Sequence, residues 1–204
     1  MVPVWAHLLL ILLLAPAQSQ SIQKTFQKQQ QQTSSLQSGY RQTVRLKGVR
    51  DASVSSGKFY YISPDSILIK FDDPKGEYLM IRGKDLFLKK NGKQEVRRKI
   101  NPDEPETGLS MLLDLFRTGG KQFQDEFQLQ MSYEKNDLIV TLTQKKSDED
   151  VLPSRIENRL SRDGLNIKSV LVEFDGGHSI LYEFTKPVRN RSIPPSVFEH
   201  PERS

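Results

Sequence analysis

The stretch SPDSILIKFDDPKGEYLMI, residues 63–81, sets two short apolar runs on either side of an Asp-Asp-Pro-Lys-Gly turn. Pro and Gly break any helix there, so the runs read as two strands pairing antiparallel. Side chains alternate across a strand, so Ile67, Ile69 and Phe71 share one face while Leu68 and Lys70 leave it. Phe59 and Tyr61, in the run before, fall on the isoleucine side. Tyr78 to Ile81 (Leu79 among them), then Leu86 and Leu88, extend the row. It is either an ordinary core or a wall that holds something hydrophobic.

The same alternation continues outward. YRQTVRL, KFYYIS, ILIKF, EYLMIRG, DLFLKK and QEVRRKI read as successive strands. Ser56-Gly57, Pro64-Asp65, Pro74-Lys75-Gly76, Gly83-Lys84 and Asn91-Gly92 separate them as turns. A helix then interrupts: TGLSMLLDLFRTGG places Leu109, Leu112, Leu113 and Phe116 at i, i+3, i+4 and i+7. Thr107 suits its N-cap and Gly119-Gly120 ends it, giving a helix over 107–118. EFQLQMSYE, DLIVTLTQK, SRIENRLSR, IKSVLVEFD and SILYEFTKP resume the strands. Asn136-Asp137, Arg162-Asp163-Gly164 and Asp175-Gly176-Gly177 read as their hairpin turns. Roughly ten strands at short spacing predict a single mainly β barrel or strongly curved sheet.

At the N-terminus an apolar run over Leu8–Leu14 is followed by Ala15-Pro16-Ala17. This has the form of a signal peptide, cleaved after Ala17 or after Ser19. The rival reading, an uncleaved anchor, needs about 20 apolar residues, which the run lacks. Residues 18–38 are Gln-rich and read either as a short polar helix or as a frayed leader. The β domain is expected over 39–198, with Val197-Phe198 able to dock, and residues 199–204 as a loose tail.

Of the 204 residues 36% are hydrophobic, and the formal charge is +5. Mean hydropathy is −0.55 and the sequence pI about 9.3. So polar a chain suits a sheet with one wet face. Its basic clusters, Lys89-Lys90, Arg97-Arg98-Lys99 and Lys145-Lys146, read as solvated faces, open to anionic lipid or an acidic protein patch, rather than as a nucleic-acid surface. Cysteine is absent. That excludes disulfides, thiolate zinc sites and a thiol nucleophile. Beyond the leader only His178 and His200 remain, in a turn and in the tail, with no partner at ligand spacing. No Gly-x-Ser-x-Gly elbow and no phosphate loop is present. No metal, cofactor or catalysis is expected.

The residues do resemble a family. Gly57, Phe59, Pro64, Pro74, Gly83, Lys84, Leu86 and Phe87 stand in a pattern similar to the LolA-like periplasmic carriers of outer-membrane lipoproteins. LNIKSVLVEFDGGHSILYEFTKP and IPPSVFE are similar to the family's closing strands. Ser63 stands where well-known members carry a basic residue that holds the lid closed, and Ile67 and Ile69 stand where they carry aromatics. The resemblance implies an unclosed antiparallel β-barrel of about ten to eleven strands with helices over its concave face. It implies a monomeric periplasmic carrier whose apolar cavity takes the acyl chains of lipoproteins. An inner-membrane ABC transporter would be the donor and an outer-membrane receptor the acceptor. The lining would be Phe59, Tyr61, Ile67, Ile69, Phe71, Leu79 and Ile81, under Leu109, Leu112, Leu113 and Phe116. The alternative is an exported β-rich binding protein that carries another hydrophobic ligand, or whose hollow its own helices fill.

Overall fold

The computed structural model describes residues 24, 28, 31–90, 93–99, 126–145, 153–163 and 166–202. The expected signal peptide, the expected helix over 107–118 and the expected Asn91-Gly92 turn lie outside these residues. Eleven strands form one antiparallel sheet. They are β1 (Ser35–Arg45), β2 (Ser53–Ile62), β3 (Ser66–Phe71), β4 (Tyr78–Arg82), β5 (Asp85–Lys89) and β6 (Val96–Lys99). After the intervening segment come β7 (Phe127–Glu134), β8 (Asp137–Gln144), β9 (Arg155–Ser161), β10 (Ile167–Glu173) and β11 (Ser179–Arg189). The spatial order is β6-β5-β4-β3-β2-β1-β11-β10-β9-β8-β7, so β6 and β7 are edges and the sheet is not closed into a barrel. Two meanders, β1–β6 and β7–β11, meet along a single seam between β1 and β11.

Three boundaries differ from the sequence reading. β1 begins at Ser35, inside the stretch assigned to a polar leader. It does so through hydroxyls rather than apolar side chains. Ser35 Oγ donates to the Arg191 carbonyl at 2.6 Å and Ser38 Oγ to the Thr185 carbonyl at 2.9 Å. Ser56-Gly57 is no turn but the middle of β2. Gly57 is there because a Cβ would lie 1.8 Å from the Lys70 carbonyl oxygen of the adjacent strand. The β7–β8 turn is Lys135-Asn136, with Lys135 at φ 53° and Asp137 already paired to Glu134.

The outer face is not uniformly wet. Tyr78 and Met80, grouped by the sequence reading with Leu79 and Ile81, point the other way. With Leu68 they form a second buried cluster, covered by Ile193 and Phe198 of the C-terminal segment. The short helix α1 (Ser196–Glu199) delivers Phe198 to that cluster, and Pro201 beyond it is also buried. Lys70 lies on this outer side, 8% exposed, and its amine has no hydrogen-bond partner among the described residues. Burial lowers its proton affinity, Lys58 lowers it further, and Glu202 partly offsets both.

Candidate ligand-binding face

The inner face is built by strand register. Tyr61, Ile67, Ile81 and Leu86 stand side by side across β2, β3, β4 and β5. Phe59, Ile69, Leu79 and Leu88 form the adjacent row. Period-two alternation delivers both rows to one face. Phe59, Tyr61, Ile67, Ile69 and Ile81 are buried in a single cluster, and Phe71 and Leu79 pack against it half-buried. All seven described residues of the expected lining therefore come together. Leu109, Leu112, Leu113 and Phe116 lie outside the described residues.

The cluster crosses the seam into the second meander. Leu36 and Tyr40 of β1, Tyr182 and Phe184 of β11, Val170 and Val172 of β10, and Ile156 of β9 belong to it. The Tyr40 and Phe71 rings meet at 6.5 Å and 71° over the position where Gly57 has no side chain. A smaller cluster of Met131, Leu138, Val140 and Leu160 continues the face toward the β7 edge. The sequence reading missed the β11 contribution. The alternation Ile180, Tyr182, Phe184 carried the signal.

Polar groups on this face are few. Tyr40 Oη donates to Gln42 Oε1 at 2.7 Å. Burial, helped by Tyr182, raises the Tyr40 phenol well beyond its ordinary range, and burial alone pushes Tyr182 up to about 12. Both phenols stay neutral at physiological pH. Asn158 of β9 is fully buried between Ile156 and Leu160. Two arginines also share the register of the inner face: Arg98 pairs with Leu86 at the β6 edge, and Arg189 pairs with Leu36 at the seam, where burial lowers its pKa. The ion pairs of the second meander lie on the outer face. Arg155 pairs with Glu157 and Glu173, while Asp137 pairs with Arg159 and Lys168. Among the described residues no three His, Cys, Asp or Glu side chains gather as a metal site requires. What the described strands bring to the inner face is a buried cluster of apolar and aromatic side chains.

An antiparallel sheet of eleven strands that stays open between β6 and β7 and packs its apolar side chains on the inner face defines the class of fold. The chain belongs to the LolA family: the family described as outer membrane lipoprotein carrier protein LolA matches residues 31–201. No curated protein sequence matches the chain. Among solved structures, MucB is similar at TM-score 0.52 and 11% identity, over 88% of this chain and 62% of MucB. An uncharacterized conserved protein from Thermus thermophilus is similar at TM-score 0.50 and 9% identity, over 88% of this chain and 90% of that one. A LolA superfamily protein from Nitrosomonas europaea aligns at TM-score 0.44 and 11% identity, over 88% and 96%. These likenesses are of fold. Among the described residues no helix is long and apolar enough to cross a membrane.

Proposed function

We propose that this protein is a periplasmic carrier that takes the acyl chains of lipoproteins against the inner face of its sheet. It shuttles them from an inner-membrane ABC transporter to an outer-membrane receptor. One observation carries the reading: a single apolar cluster runs across the inner face from β5 to β7. Family membership supports it. Each methylene moved from water onto such a surface contributes about 0.8 kcal/mol, so an acyl chain binds without any reactive group. The signal-like residues 1–17 fit export.

The test uses the full mature chain with a long-chain fluorescent fatty-acid probe, together with mass spectrometry of material co-purifying from the periplasm. Leu79 is only half-buried on the inner face, so Leu79→Trp can be housed without rebuilding the core. The variant should keep its melting temperature within a few degrees and lose probe binding at least tenfold. A parent protein that binds no acyl probe and co-purifies with none sinks the carrier reading. Co-purified lipids without lipoprotein would instead assign another hydrophobic cargo.

A further inference from the structure

Asn158 is out of place on its strand. In β9 the inward positions are Ile156, Asn158 and Leu160, and Asn158 is 0% exposed. Its neighbours on the adjoining strands, Val140 of β8 and Val170 of β10, are both buried in apolar clusters. Ile156 belongs to the large inner cluster and Leu160 to the smaller one, so the amide stands where the two meet.

The amide is half satisfied. Nδ2 donates to the Val140 carbonyl oxygen at 3.3 Å, while Oδ1 is buried with no hydrogen-bond partner among the described residues. The orientation is set by that carbonyl: a flipped amide would press one oxygen against another. The free atom is therefore an acceptor. Leaving one unpaired in an apolar wall costs about 1–3 kcal/mol, and a leucine of similar size would avoid that cost.

We infer that Asn158 Oδ1 is a specificity-determining contact for the N–H of an acyl amide lying along the inner face, an inference that rests on the carrier reading. The ligand's donor must sit between two apolar stretches, because Asn158 has an apolar cluster on each side. A secondary amide N–H meets that condition; a terminal hydroxyl does not. An ester offers only acceptors, so its oxygen would face Oδ1 with no proton between them. An ammonium there would be desolvated between two apolar clusters, at a cost well above that of an amide N–H.

The experiment measures affinity of the full mature chain for two long-chain probes of equal length, an N-alkyl acyl amide and the matching alkyl ester. The parent should bind the amide about tenfold more tightly, since one such bond is worth roughly that factor. Asn158→Leu should abolish the preference, keep ester binding and raise the melting temperature. A merely structural asparagine would lower it. Equal affinity of the parent for both probes overturns the inference and leaves the carrier reading intact. So does a preference that survives in Asn158→Leu. Binding of neither probe by the parent overturns both. Should Asn158→Leu fail to fold, Asn158→Val repeats the comparison, with the same outcomes.

Discussion

The Phe184 ring stands edge-on to Phe59, with centroids 5.1 Å apart and planes inclined at 75°. Phe59 lies in β2 and Phe184 in β11, so the rings reach toward each other over the intervening β1, as side chains do on the hollow side of a curved sheet. Phe59 is 0% exposed. Phe184→Ala should cost about 3–5 kcal/mol, through lost contact and the cavity left behind. Urea unfolding measures it; a loss under about 1 kcal/mol would mean the seam is not held by this pair.

Gly57 tests the close approach of β2 and β3. Ala has no place for its methyl group 1.8 Å from the Lys70 carbonyl, and that atom is backbone rather than a movable side-chain end. Gly57→Ala should therefore destabilise by about 1–3 kcal/mol or more, although alanine in an ordinary strand would not. A thermal melt of the variant that matches the parent would contradict the geometry.

Lys70 gives a pH test with a definite sign. Its folded-state pKa is lowered, chiefly by burial, with Lys58 acting in the same direction. Between that value and the ordinary lysine pKa near 10.4, the unfolded chain binds more protons. Stability then rises with pH across the window and is lowest beneath it. Lys70→Met should raise stability at pH 7 by about 1–3 kcal/mol, the scale of an unpaired buried polar group. The gain should shrink as pH approaches 10. An advantage constant across melts from pH 7 to 10 would show that the amine is not what the variant relieves.

Asp137 carries the opposite sign. The Lys168 hydrogen bond first, and Arg159 after it, hold its carboxyl below the usual range against a desolvation that opposes them. A depressed acid contributes stability above the unfolded value of about 3.9, lost as pH falls through the folded one. Asp137→Asn should cost about 0.5–1 kcal/mol at pH 7, because its partners are partly exposed. The difference from the parent should close below about pH 4, and a gap that persists in acid melts would exclude the ion pairs as its source.

The strand pattern was legible where one residue type filled one face. Ile67 and Ile69 against Leu68 were assigned from alternation alone, and the register places them so. Tyr78 to Ile81 were harder, because all four are apolar and no polar residue marks the phase; only the tail that buries Tyr78 and Met80 distinguishes the two faces. The start of β1 was hidden for another reason. Ser35 and Ser38 earn their burial by bonding to carbonyls about 150 residues away, which no local pattern records. Asn158 was visible as a polar interruption in Ile-x-Asn-x-Leu, but its unpaired oxygen emerges only once β8 is in place beside it.

The seam between β1 and β11 also governs the order in which the molecule can be assembled. β1 meets β2 across a short connection, whereas its other edge pairs only with residues 179–189. Every meander strand closes a short loop, but this one pairing closes nearly the whole domain. The C-terminal cap over Leu68 and Met80 arrives later still. High contact order of this kind slows folding and prolongs the life of an open strand edge. Without its final strand the sheet would keep an open border along β1, and a variant truncated before β11 should aggregate rather than fold to a smaller domain.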